Sequence, residues 1–135
     1  MAAFNWSDKY SVNVAEMDAQ HKKLVGLLNE LDEAMSQGKG RTIVGRILSG
    51  LVDYAATHFR DEESLMERHG FADIEAHKAL HDKLTAQATS LNAEFQAGSI
   101  SVTIDTMNFL TNWLTDHILG TDSRYGAYLN GKGIY

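Results

Sequence analysis

Five of the six histidines in this chain fall, together with two carboxylates, into a spacing that is typical of a metal site. A single histidine comes first, followed by a His-x-x-x-Glu pair, a His-x-x-x-His pair and a His-x-x-x-x-Asp pair. The set is His21, His58, Glu62, His77, His81, His117 and Asp122. Seven donors are too many for one tetrahedral zinc ion and too rich in nitrogen for calcium or magnesium. The set therefore predicts metal ligands for a pair of iron ions.

The spacing within each pair indicates how a helix would present it. Residues four apart on an α-helix stack on one face, roughly 6 Å from each other, so Glu62 is expected over His58. Five residues rotate a side chain about 40° beyond that stack. His117 and Asp122 can then share a site only if the helix end is distorted, and Gly120 between them permits a distortion.

Each of these histidines lies on the apolar stripe of its segment rather than on the polar face. A buried imidazole needs a partner for both ring nitrogens, because an unsatisfied buried polar group costs roughly 1–3 kcal/mol. Ligation at one nitrogen and a hydrogen bond at the other would satisfy all of them. Two divalent ions would also neutralise Glu62 and Asp122, which need compensating positive charge when buried.

The elements that position these residues are four amphipathic segments with a period of 3.6 residues. We expect helices over about 18–37, 42–68, 73–98 and from Ser99 or Ser101 to 117, with Asp18 and Asp73 as N-caps. The chain has no proline to interrupt them. Connections of about four or five residues make neighbouring helices antiparallel. The predicted fold is all-α, an up-down-up-down antiparallel four-helix bundle.

We assign one domain to residues 1–135, with the bundle over 18–119. Residues 1–17 form an extended, apolar-rich arm predicted to lie along the bundle, and 120–135 form a short packed tail. Tyr125 and Tyr128 of this tail either pack on the bundle or mediate a dimer contact, and the sequence leaves both open along with the oligomeric state.

Composition excludes several classes of function. The chain has 135 residues, 44% of them hydrophobic, a net charge of −6 and no cysteine. An acidic chain with scattered basic residues is not expected to bind nucleic acid or an anionic membrane. Without cysteine there are no disulfides, iron–sulfur clusters or thiol nucleophiles. No run reaches the roughly 20 apolar residues of a membrane span, and the N-terminus lacks signal-peptide features, so a cytoplasmic location is predicted.

Other charged residues near the motifs are interpreted as surface residues. His69 precedes Gly70 at a predicted helix C-terminus, where a cation is favoured and solvent is near, so it is not expected to be a ligand. Lys22, Lys23 and Glu63 are interpreted as ordinary surface charge.

The donor types favour binding over oxidation. Octahedral coordination of two irons by five histidines, two bridging carboxylates and one bridging hydroxide leaves one coordination position open, which suits a small ligand such as dioxygen. Di-iron oxidants in bundles use Glu-x-x-His motifs and more carboxylates, and this chain has no Glu-x-x-His. Reversible binding of dioxygen is therefore the preferred function, and the protein is not expected to be an enzyme beyond a weak oxidase or peroxidase side activity.

Over essentially its whole length the chain resembles the hemerythrins, and specifically the single-domain bacterial hemerythrins. The motifs that carry the resemblance are Trp6, Ser11-Val12-Asn13-Val14, Met17-Asp18-Ala19-Gln20-His21, His58-Phe59-Arg60-Asp61-Glu62, His77-x-x-x-His81 and Trp113-Leu114-x-x-His117-Ile118-x-x-x-Asp122. One departure is Asn13, where the family usually has glycine.

The resemblance implies a non-haem di-iron centre that takes dioxygen as its ligand, bridged by an oxo or hydroxo group with Glu62 and Asp122. It implies that one iron is held by three histidines and the other by two. The first group would be His77, His81 and His117; the second would be His21 and His58. It also implies an apolar dioxygen pocket walled by Phe59, Trp113, Leu24 and Leu114, although the two aromatic residues would equally suit a plain core.

Two other functions stay open at this point. One is a dioxygen or redox sensor that acts through a partner. The other is a di-iron oxidoreductase that acts on peroxide or nitric oxide. The partners predicted for the preferred function are dioxygen and, as its recipient, an oxygen-consuming enzyme or a redox protein.

Overall fold

Four antiparallel helices form a bundle, which confirms the predicted fold class. The structure, a computed structural model, describes residues 6–98, 104–117 and 123–135. The bundle helices are α1 (Ala15–Ser36), α2 (Arg41–Arg68), α3 (Ile74–Gln96) and α4 (Ile104–Asp116). A 3-10 helix (Asp8–Tyr10) precedes them and α5 (Ser123–Gly131) follows. α1 packs against α2 and α4, and α2 packs against α3.

The start of α1 differs from the prediction. The helix begins at Ala15, and Asp18 is not its N-cap, which is Val14. The carboxylate of Asp18 instead accepts hydrogen bonds from the backbone N–H of Val12 (2.8 Å) and the hydroxyl of Ser11 (2.5 Å). An acidic side chain in the first turn therefore satisfies donors of the preceding segment.

Asn13 lies in the left-handed region of backbone conformation, with φ at 58°. Glycine adopts this region without strain, and asparagine tolerates it better than most other residues. The side-chain amide of Asn130 donates to the carbonyl oxygen of Asn13 over 3.0 Å. The departure from the glycine usual in the family is thus compatible with the same turn.

The tail is more ordered than predicted, because residues 123–131 form α5. Glycines lower the helix propensity of this segment, so the sequence predicted a short packed tail without a helix. Packing compensates for that weakness: Tyr125 and Leu129 are fully buried. Tyr125 is buried in the packing against the bundle, and Tyr128 packs beside it and is partly buried.

The core has two parts, and the predicted site lies between them. We call the larger part the main cluster. It contains buried residues of all four bundle helices, the first in the sequence being Leu24 and the last Leu114. The smaller part, the arm cluster, joins the N-terminal segment, the C-terminal part of α2 and α5. It consists of Val12, Val14, Met17, Leu65, Met66, Phe71, Tyr125 and Leu129. No helix within the described ranges is both long and apolar enough to cross a bilayer.

Candidate metal centre

Six of the seven predicted ligands lie in the described residues, and all six are buried where the bundle helices meet. α1 contributes His21, α2 contributes His58 and Glu62, α3 contributes His77 and His81, and His117 directly follows α4. Their exposed fractions range from 0% to 4%. The four-residue spacings place each pair on the inner face of its helix, as the sequence predicts. Asp122 and Gly120 lie outside the described residues.

Glu62 is the point on which the imidazoles converge. Its Oε1 lies 3.2 Å from Nε2 of both His58 and His81 and 3.3 Å from Nε2 of His117. Its Oε2 lies 3.3 Å from Nε2 of His21. One carboxylate therefore contacts imidazoles from all four bundle segments.

The potential ligand atoms fall into two groups that share Glu62. The three-imidazole group consists of Glu62 with His77, His81 and His117; the two-imidazole group consists of Glu62 with His21 and His58. Within each group the atoms lie within 4.8 Å of one another. His69, which caps the C-terminus of α2, belongs to neither group.

The outer nitrogens of two imidazoles identify their tautomers. Nδ1 of His81 lies 2.9 Å from Oε2 of Glu63, and a carboxylate can only accept, so this Nδ1 carries a proton. Nδ1 of His58 lies 2.6 Å from Oε1 of Gln20. The other end of that amide donates to Oδ2 of Asp61 over 3.0 Å, which fixes its orientation and makes Nδ1 of His58 a donor too.

The inner nitrogens of the same two residues fit a bound metal ion. Nε2 of His58 and Nε2 of His81 are buried and have no hydrogen-bond partner among the described residues, although Glu62 is close. A ring nitrogen facing a carboxylate oxygen without a hydrogen bond is unfavourable unless positive charge lies between them. Imidazole nitrogen and carboxylate oxygen are ligands of iron and other transition metals, so these residues suit such an ion.

Glu62 is ionised despite its burial. Burial disfavours the charged form and by itself raises the pKa of Glu62. The electrostatic attraction of His58 and hydrogen bonds from His117 and His21 outweigh burial and hold that pKa well below its usual value. The centre therefore combines a permanent buried anion with several nitrogen donors, which is the electrostatic arrangement that attracts a cation.

Tyr125 is a residue of the centre that the sequence did not reveal. Its fully buried hydroxyl donates to Oε2 of Glu62 from α5. The link could not be anticipated, because α5 was not predicted and nothing in the spacing joins position 125 to position 62. Glu63 was also misread: it is not ordinary surface charge, since its side chain is only 23% exposed and contacts His81.

Aromatic side chains cover one side of the imidazoles. The ring of Phe59 stacks on His81 with centroids 4.2 Å apart and meets His117 edge-on at 5.0 Å. Trp113 lies 6.0 Å from Phe59, and its indole N–H donates to the carbonyl oxygen of Leu84 over 3.3 Å. Leu24 and Leu114 belong to the same main cluster and are fully buried.

A surface cavity of about 340 Å³ lies between α3 and α4 and is lined by Leu84, Phe109, Trp113 and His117, among others. It brings solvent-accessible space to the edge of the three-imidazole group. Trp113 lines this cavity next to His117, a candidate ligand.

Comparison with known proteins decides the family. The family model described as the hemerythrin HHE cation binding domain matches residues 12–129 of the chain. The chain belongs to the hemerythrin family.

Relatives of this hemerythrin match it over nearly their whole length. A bacteriohemerythrin of Methylococcus capsulatus is 38% identical over 131 residues, covering 96% of this chain and 99% of the relative. One from Stenotrophomonas maltophilia is 36% identical, covering 96% and 86% respectively. The crystal structure of a wild-type hemerythrin superposes with a TM-score of 0.86 at 38% identity, covering 92% of this chain and 95% of that chain.

Proposed function

We propose that this hemerythrin binds dioxygen reversibly at two iron ions. The observation that carries the proposal is the pair of donor groups sharing one buried carboxylate, Glu62. Each group would hold one ion. Asp122 would supply a further carboxylate ligand.

The unequal groups support the binding of one small ligand. A group with three imidazoles has more donors than a group with two, so the two-imidazole group would leave more room for an external ligand. Bound ferrous iron would supply the affinity for dioxygen at that position. The similarity to a bacteriohemerythrin and to a hemerythrin of known structure supports the same proposal.

The chain's own residues favour binding over turnover. Five neutral imidazoles against two carboxylates suit ferrous ions and leave few flexible carboxylates to rearrange. Phe59, Trp113, Leu24 and Leu114 would form an apolar wall that keeps water from the ligand. Exclusion of water slows side reactions in which a charged oxygen species escapes into solvent.

The test is an absorption spectrum of the iron-loaded protein. Protein loaded with ferrous iron under argon is exposed to air and then returned to argon. The proposal expects a visible charge-transfer band that appears with air and disappears again under argon over several cycles. A spectrum that does not change, or that changes once and never reverts, would contradict reversible binding.

The same sample separates a carrier from an enzyme. As a carrier or store of dioxygen, the protein should consume no more hydrogen peroxide or nitric oxide than its spontaneous oxidation explains. Steady turnover of either compound would replace this proposal with an oxidoreductase. Capture of one specific partner in only one oxygenation state would instead indicate a sensor.

A further inference from the structure

One imidazole in each donor group has an outer nitrogen whose partner is known, and the two partners differ in charge. His58, in the two-imidazole group, donates from Nδ1 to the neutral amide of Gln20. His81, in the three-imidazole group, donates from Nδ1 to the carboxylate of Glu63. The ligand-facing nitrogens of both residues point at the same oxygen of Glu62, so the inner environments are alike where the outer ones differ.

The charge nearest to each imidazole differs as a result. Glu63 is in direct contact with His81 and is 23% exposed, so solvent screens its charge only partly. The corresponding charge on the other side belongs to Asp61, which is exposed and reaches His58 only through the amide of Gln20. A full negative charge therefore polarises one imidazole directly, whereas the other receives a weaker, relayed effect.

An acceptor on the outer nitrogen fixes the ring and raises the basicity of the inner nitrogen, and a charged acceptor does so more strongly than a neutral one. We propose that Glu63 and the Gln20–Asp61 pair are positioning residues that give the two halves of the centre unequal metal affinity, with the tighter half at the three-imidazole group. This inference rests on the proposed metal centre but not on dioxygen binding.

The arrangement also agrees with the proposal that only the two-imidazole group takes the external ligand. The more strongly held ion would lie where the imidazoles are more numerous and more basic. The less strongly donating group would then be the one that leaves a position for the external ligand. Gln20 and Glu63 contact the outer nitrogens of His58 and His81, so both act through the rings that they orient.

The experiment titrates the 135-residue chain, freed of metal with a chelator, with cobalt(II). Calorimetry gives the affinity of each binding step, and the d–d absorption of cobalt(II) reports on its coordination at each step. Wild-type protein should bind two ions in two resolved steps.

Two matched variants change one outer partner each. Glu63→Gln keeps the shape but removes the charge beside His81, and should weaken the tighter step by about 10-fold, within the range of about 10 to 100-fold seen for such partners. The double variant Gln20→Glu with Asp61→Asn keeps the hydrogen bond and the net charge while moving the carboxylate next to His58. It should strengthen the weaker step by a similar factor, which mere loss of structure cannot do.

Glu67→Gln is the control. Glu67 lies one turn further along α2, is exposed and pairs with Lys78, so neither step should change. Denaturant unfolding without metal confirms that all variants fold. The proposal is overturned if wild-type protein binds two ions and both variants leave the two affinities unaltered, or if both variants act on the same step. Failure of wild-type protein to bind cobalt(II) would instead refute the metal centre itself.

Discussion

At the scale of single residues, the centre combines ligands that the sequence predicts with supports that it does not. Spacings of four along a helix lead directly to pairs such as His77 and His81, because the helical period fixes which side chains share a face. The roles of Gln20 and Glu63 depend on distances between different helices. Neither residue has a spacing in the sequence that relates it to the histidine it contacts.

Trp113 provides a residue-scale prediction about the apolar wall. Trp113→Ala opens the space between the surface cavity and the ligand side chains, so spontaneous oxidation of the oxygenated protein should become several-fold faster. The measurement is the rate at which the dioxygen-dependent absorption decays in air.

Phe95→Ala is its control, because Phe95 is also buried in the main cluster but lies near the far end of α3. Each variant should lose about 3–5 kcal/mol of stability, as expected for removing a large core side chain. Equal oxidation rates in the two variants would reduce Trp113 to an ordinary core residue.

At the scale of elements, the four bundle helices follow from apolar periodicity, glycine stops and short connections. The same signals gave the start of α1 incorrectly, because Asp18 has the type and position of an N-cap but bonds to the segment before the helix. α5 was missed because its stability comes from packing rather than propensity. Tyr125 and Leu129 of α5 belong to the arm cluster, and this packing places the hydroxyl of Tyr125 against Glu62. The short helix therefore supplies a hydrogen bond to the centre.

Gly126 tests that role of α5. A Cβ atom added to Gly126 would lie 3.0 Å from Cβ of Val12 and 3.2 Å from its carbonyl carbon, so the backbone of the N-terminal segment would have to move. Gly126→Ala should therefore reduce the free energy of unfolding by about 1–3 kcal/mol despite the better helix propensity of alanine. Urea unfolding of the metal-free protein measures the loss.

Gly131→Ala is the matched control on the same helix, since nothing lies within 4 Å of the added Cβ atom there. Its stability should stay the same or rise by up to about 1 kcal/mol. If Gly126→Ala were as stable as this control, the close packing of α5 on the arm would not be important for folding.

At the scale of the whole molecule, two hydrophobic clusters enclose a polar centre, and that arrangement makes the bundle a support for buried charge. The main cluster and the arm cluster pack the helices together on either side of Glu62. This packing keeps the imidazoles close to Glu62, although no histidine belongs to either hydrophobic cluster. The fold class and the six described side chains of the candidate centre could be anticipated from the pattern of apolar residues, histidines and Glu62. The contribution of the chain's two ends could not, because it arises only when both pack against α2.

Mössbauer spectroscopy of protein loaded with ⁵⁷Fe, combined with metal analysis, tests whether two iron ions share Glu62. We predict two irons per chain whose spins are coupled in the oxidised protein, and loss of the coupled pair in Glu62→Ala but not in Glu67→Ala. One iron per chain, two irons without coupling, or an intact coupled pair in Glu62→Ala would contradict the account.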